Sequence, residues 1–322
     1  MSFDLPPRPE APLKIGISEC LLGREVRYDG SGAKSSFPHA KLEGLFDYVS
    51  VCPEVGIGMT VPREPIRLVG SVDDYRVVGV KDRSIDKTDA LRAYGQDKAK
   101  TFADLSGYIF MHNSPSCGLF RVKVYPEQDG PAIRQGRGIY AGAVLDALPD
   151  LPAEEGGRMF DDVLRENFVT RAFAYAHWRE VSADLTARRL IAFHSAYKYL
   201  LMAHSSVAYK RTGQLLSNLK VDLTTTAQTY ISLLMNGLKS PATPKSHANV
   251  LAHLQGYLKT ALSSPERQEL DQLIQAYRRG EQPLLAPITL LTHHFKRHPD
   301  EYVLMQSYLN PHPTQSGLRR SL

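Results

Sequence analysis

The sequence predicts an open, mostly parallel α/β sheet domain followed by an all-α helical bundle. Three observations carry this. Through the first half of the 322-residue chain, apolar runs of strand length alternate with stretches of helical period. Pro149-Asp150-Leu151-Pro152-Ala153-Glu154-Glu155-Gly156-Gly157 then has the proline, glycine and charge content of a linker. Beyond it the period is helical almost throughout. The expected domains are residues 1–152, with a core of about 12–150, and residues 153–322.

Leu13–Ser18 and Tyr48–Val51 are the first two strands of the expected sheet. Ile66–Gly70 and Tyr75–Val80, separated by Ser71-Val72-Asp73-Asp74, read as a hairpin added to it. Between Asp86 and Ser106, Leu91, Tyr94, Ala99, Phe102 and Leu105 mark one helical stripe. Gly107–His112 supplies a third parallel strand, Arg121–Tyr125 alternates as a further one, and Gly138–Leu148 reads as a closing helix. In the second half, Phe160, Val163, Leu164 and Phe168 form one stripe, and Leu190, Phe193, Tyr197, Leu200 and Leu201 another. Ser263, with Pro265 and Glu266 close behind, caps a helix that Gly280 ends. About six or seven helices are expected there.

Hydrophobic residues make up 43% and charged residues 23%, ordinary for a globular protein. No apolar run approaches the ~18 residues of a membrane span, and the first residues lack the basic and apolar regions of a signal peptide. Three cysteines are too few, and odd in number, for a disulfide framework. The expectation is a cytoplasmic protein with no membrane partner. Charge is unevenly placed. Residues 1–152 carry 19 Lys/Arg and 20 Asp/Glu, while residues 163–322 carry 19 and 10. That split suggests chemistry in front and an anionic partner behind.

Cys20, Cys52 and Cys117 each sit in a loop after a predicted strand. If those strands lie parallel, their carboxyl ends share an edge, where open α/β sheets bind ligands. Three thiols would then converge, with no fourth cysteine to close the site. Such a set suits a reactive metal centre. Zinc would take a fourth ligand or a water, and His112 is within sequence reach of supplying one. An iron–sulfur cluster would keep one iron free of cysteine, open to a substrate atom. Glu54, two residues after Cys52, is placed to accept a proton or activate water beside such a site.

Ser18-Glu19-Cys20-Leu21-Leu22-Gly23, Val26-Arg27-Tyr28-Asp29-Gly30, Cys52-Pro53-Glu54 and Ser114-Pro115-Ser116-Cys117-Gly118 together resemble the signature of the thiouracil desulfidase (TudS-like) family. The helical half resembles the YbgA-like domain found fused behind it. The arrangement is similar to RudS-type desulfidases, which act on 4-thiouridine in transfer RNA. The resemblance implies a 4Fe-4S cluster held by Cys20, Cys52 and Cys117, whose fourth iron takes the sulfur of a thiocarbonyl. It also implies that water replaces this sulfur, leaving uridine and sulfide. Glu54 would assist the water, and Ser114 would hydrogen-bond the base or relay a proton. The acceptor of the sulfide stays open. Two alternatives stand beside this function: desulfuration of free thiouracil or thiouridine nucleotides, and a non-catalytic iron–sulfur redox sensor that binds RNA.

Gly136-Arg137-Gly138-Ile139-Tyr140-Ala141 has the form of a dinucleotide-binding finger, but follows no clear strand and lacks the downstream acid. No nicotinamide is therefore expected, although Arg134 and Arg137 beside such a loop suit a phosphate. Between Ala183 and Lys259 stand nine basic residues and two acidic ones. Arg188-Arg189, Lys198, Lys210-Arg211 and Lys220, interleaved with Tyr197, Tyr199 and Tyr209, point to contact with thiolated transfer RNA. Arg188, Arg189, Lys210 and Arg211 are the chosen RNA-binding candidates.

Overall fold

A computed structural model describes residues 4–128, 130–217, 222–313 and 317–322, which leaves Lys220 outside the described residues. The chain divides into two compact units, Ala11–Asp161 and a second comprising Met1–Glu10 with Asp162–Leu322.

In the first unit the elements are β1 (Leu13–Ser18), β2 (Phe46–Val51), α1 (Pro53–Gly56), β3 (Ile66–Gly70), β4 (Tyr75–Gly79), α2 (Thr88–Thr101) and β5 (Tyr108–Phe110). They continue as β6 (Val122–Tyr125), β7 (Ile133–Gly136), α3 (Ile139–Ala147) and β8 (Ala153–Glu155). One four-stranded sheet has the order β2-β1-β5-β8, and every pairing in it is parallel. Ile15 and Ile17 of β1 and all three residues of β5 are fully buried, as expected for strands covered on both faces. Ser18 lies beside Val51 and Ile17 beside Ile109, so the carboxyl ends of β2, β1 and β5 form one edge.

Two expectations are corrected. The hairpin does not join this sheet but belongs to a second, β4-β3-β6-β7. Strand β3 satisfies its outer backbone groups by pairing in parallel with β6. The place beside β5 is filled by β8. Strand β8 lies inside the stretch 149–157 expected to be linker, and the unit runs on to Asp161 rather than ending at 152. Its sequence Ala-Glu-Glu carries no strand signal, because both glutamates are buried in polar company. Glu155 accepts from the N–H groups of Leu119 and Phe120, and Glu154 pairs with Arg158 at 2.7 Å.

The second unit holds α4 (Asp162–Ala183), α5 (Ala187–His204), α6 (Ser206–Leu216), α7 (Leu223–Leu238), α8 (Pro244–Gln255), α9 (Ser264–Arg278), α10 (Leu285–Arg297) and the single turn α11 (Glu301–Leu304). Ser263 and Glu266 form the reciprocal cap at the start of α9. The α5 stripe is core, with Leu190, Phe193, Leu200 and Leu201 fully buried. The Phe160 stripe is not. Phe160 sits in a turn ahead of α4 at 49% exposure and Val163 is 41% exposed, while Phe168 is buried. No helix among the described residues is long and apolar enough to cross a membrane.

His177 of α4 is fully buried, with Nε2 2.9 Å from the Pro6 carbonyl and Nδ1 3.0 Å from the Tyr197 hydroxyl. A neutral ring donates to the first and accepts from the second. Burial, opposed by the Pro6 bond and reinforced by Arg8, lowers its pKa to about 4. An unfolded histidine near 6.5 binds its proton first. The stabilisation from keeping His177 neutral, up to about 3 kcal/mol, is thus complete above pH ~6.5 and lost as pH falls towards 4. Urea midpoints of the full chain should drop across that window. His177→Gln should flatten the drop, and parallel profiles would show that other groups govern it.

Candidate active site

The three cysteines reach one place because three adjacent strands end there. Cys20 lies in a 3₁₀ turn, Glu19–Leu22, immediately after β1. Cys52 follows β2 directly and precedes Pro53, the first residue of the short α1. Cys117 is further along, on the loop after β5. That loop is tied down from several sides. Ser114 Oγ accepts from the N–H groups of Ser116 (3.2 Å) and Cys117 (3.0 Å). Met111 N–H donates to Ser18 Oγ at 2.9 Å, joining the ends of β1 and β5.

The start of α3 clamps the same loop. Gly138, Ile139 and Ala141 donate their N–H groups to the carbonyls of Gly118, Pro115 and Ser116 at 2.7, 3.1 and 3.1 Å. A Cβ at Gly138 would come within 2.5 Å of the Ser116 backbone, so only glycine permits the approach. This corrects the reading of the glycine finger. It does follow a strand, β7, and does open a helix, yet the amides a pyrophosphate would need are already used. Arg137 is ion-paired with Asp146 at 2.8 Å and lines a different cavity from Arg134.

Cys20, Cys52 and Cys117 line one cavity of about 460 Å³, together with Glu54, Ser114 and His112. All three are free thiols. Among the described residues, no group of three or more Cys, His, Asp and Glu could hold a metal ion. The three thiols line this space from separate loops. A single tetrahedral ion draws its ligands to ~2.0–2.3 Å, whereas a cluster places each thiolate on a separate iron. Burial raises the Cys20 pKa to about 11, with the charge of Cys52 adding to it. Burial also raises Cys52, and raises Cys117 well above the usual value against a hydrogen bond with Ser18. Three soft, partly desolvated donors of one kind around a shared space fit a cationic iron–sulfur group, which would favour their thiolates.

Glu54 enters this cavity from α1 and is held by partners that sequence reasoning did not find. Arg63 places Nε 2.8 Å and Nη2 2.6 Å from Oε2, and Ser116 Oγ donates to Oε1 at 2.9 Å. The side chains are little exposed, 5% for Arg63 and 14% for Glu54. Arg63 also donates to the Val26 carbonyl, fixing the loop that Cys52 Sγ approaches at 3.8 Å. A carboxylate offers about four lone-pair sites, and three are taken, leaving one on Oε1. Arg63 carried no signal, and Ser116, although inside the Ser114–Gly118 motif, does not lie at a spacing that marks a partner of Glu54.

The basic residues chosen on the helical unit do not form one patch. Arg188 and Arg189 lie in the first turn of α5, whose 18 residues span about 27 Å, and Lys210 and Arg211 lie beyond its other end. Arg189 pairs with Asp184 at 2.5 Å and lies 3.6 Å from Asp4. Lys210 and Arg211 are exposed on α6. Tyr197 and Tyr199 are buried, and Lys198 lies over the rings of Tyr199 and Tyr302.

Comparison with known proteins agrees with this site. Residues 15–156 match the family model of 2-thiouracil desulfurase, and residues 198–313 match a protein of unknown function family, DUF1722. Uncharacterized protein YbgA of Escherichia coli (strain K12) is 38% identical over 139 residues, 42% of this chain and 82% of the relative. Uncharacterized protein YbbK of Bacillus subtilis (strain 168) is 36% identical over 113 residues, 32% of this chain and 72% of the relative. A solved structure, the 4Fe-4S-dependent thiouracil desulfidase TudS, aligns with 46% of this chain and 93% of its own at 24% identity and a TM-score of 0.35. The cysteine-bearing unit is thus of the 2-thiouracil desulfurase class. The chain belongs to the family of YbgA and carries a 2-thiouracil desulfurase domain ahead of its DUF1722 domain.

Proposed function

We propose that this protein is an iron–sulfur-dependent desulfidase that converts 4-thiouridine in transfer RNA to uridine with release of sulfide. The observation that supports it is the cavity itself, where three cysteines from three strand ends surround a space shared with an anchored carboxylate. Cys20, Cys52 and Cys117 would hold a 4Fe-4S cluster. When bound, that cluster supplies a soft Lewis acid, at the iron without a cysteine, for the substrate's sulfur.

The rest falls to the chain's own residues. Water attacks the carbon of the C=S bond and gives a proton to Glu54 through the remaining lone pair of Oε1. Arg63 orients the carboxylate through its bonds to Oε2 while Ser116 fixes its other side. The C–S bond breaks as the adduct's hydroxyl loses its proton and C=O forms. That proton and the one held by Glu54 leave with the sulfur as hydrogen sulfide, so that one water is consumed and Glu54 is restored. Ser114 accepts two backbone N–H bonds, so its hydroxyl hydrogen is free to donate to the base. Neither a nicotinamide nor a nucleoside triphosphate enters this scheme.

Anaerobic incubation of the cluster-loaded full chain with thiolated transfer RNA tests this, with nucleosides quantified after digestion. Loss of 4-thiouridine matched by uridine and sulfide is expected. Tight binding without loss would favour the RNA-binding sensor, and conversion of free thiouracil alone would restrict the substrate to small molecules.

A further inference from the structure

We infer that RNA phosphates next to the reacting base run from the cysteine cavity into a cationic groove on the same unit, held chiefly by Lys123 and Arg134. This rests on the desulfidase reading above and names the surface that makes a polynucleotide its substrate. Asn113 lines the cysteine cavity and also two neighbouring cavities of about 390 and 460 Å³, so the three adjoin at this residue as one cavity-lined depression. Those neighbours bring in Arg67, Arg121, Lys123 and Arg134.

Three independent features mark this as a built surface rather than scattered charge. First, Lys123 of β6 stands directly opposite Arg134 of β7, and both are exposed. Like charges in that position destabilise an antiparallel pair. Among the described residues neither has an ion pair or a side-chain hydrogen bond to relieve it; an anion bridging the two would. Second, Asn113 (φ 58°) and Arg121 (φ 57°) are the two non-glycine residues with positive φ among the described residues. Both line the depression, and an arginine is disfavoured in that conformation unless its placement matters.

Third, aromatic faces accompany the cations. The Arg67 guanidinium lies 4.9 Å from the centroid of Tyr125, and that of Arg158 lies 5.0 Å from the ring centroid of Phe120, a residue 44% exposed. Alternating guanidinium and aromatic planes suit stacking on splayed bases. The acid in the groove, Glu155, is turned to the backbone N–H groups of Leu119 and Phe120. A mononucleotide brings one phosphate, whereas four cations over two further cavities match a run of them. By contrast, Arg189 on the helical unit is already spent on Asp184.

The test uses the cluster-loaded full chain, the variant Lys123→Glu/Arg134→Glu and the milder Lys123→Gln/Arg134→Gln. Three probes are compared: 4-thiouracil, 4-thiouridine 5′-monophosphate and a labelled RNA stem-loop carrying 4-thiouridine. Anisotropy over a salt series reads stem-loop affinity apart from turnover. Both variants should lose stem-loop affinity, the charge reversal by on the order of 10²-fold, and the log–log salt slope should shrink by about 2. Desulfuration of the free base and the circular dichroism spectrum should stay unchanged. Unaltered stem-loop affinity and slope in both folded variants would overturn the inference, as would a loss confined to the monophosphate, which marks a single-phosphate subsite. If the parent protein desulfurates none of the probes, the function fails, while the binding comparison still judges the groove.

Discussion

Replacing any one of Cys20, Cys52 or Cys117 with alanine should strip the protein of iron and abolish desulfuration together. The chain has no other cysteine, so each change leaves two thiolates for a group that we propose three would hold. Iron and acid-labile sulfide per chain, visible absorbance and turnover are the measurements. All three variants should fall to background while keeping their far-ultraviolet circular dichroism, because the strands that deliver the cysteines have cores of their own. Ile15, Ile17 and Ile109 are fully buried in the interior of the sheet. A variant retaining full iron and turnover would reassign its cysteine to packing.

The second largest effect is expected at Glu54. Glu54→Gln should retain iron and base binding but lose on the order of 10²-fold or more in single-turnover rate, the scale of a missing acid–base group. An amide in place of the carboxylate would lose the charge that Arg63 complements and could no longer take a proton from water. Ser114→Ala should lose less, since water can substitute for a hydroxyl and the loop keeps its clamp from α3. Unchanged single-turnover rates in Glu54→Gln would make the Glu54–Arg63 pair a structural tie between α1 and the Val26 loop. Intact iron separates either result from loss of the cluster.

Sequence alone was enough to place the three cysteines after strands, with Glu54 beside one of them. Strand length, flanking glycine and proline and apolar content are local properties, and the capped helix at Ser263 is equally local. The family motifs are local too, since each loop holds its own cysteine or carboxylate. What tertiary structure decided is everything that depends on pairing at a distance. Which sheet the hairpin of β3 and β4 joins was settled by where β3 finds a partner for its backbone, and that partner, β6, lies beyond Cys117. Strand β8 exists only because the edge of β5 needs pairing, and its glutamates are tolerated because remote N–H groups and Arg158 receive them.

The same holds for the site. Arg63 and Ser116 meet on Glu54 through folding, not spacing. Lys123 and Arg134 face each other through strand register, and Arg188 and Arg189 are parted from Lys210 and Arg211 by the length of a helix. The residue types that carry the chemistry were written locally. Which of them act together was not, because side chains meet through backbone pairing and packing between segments that are far apart in the chain.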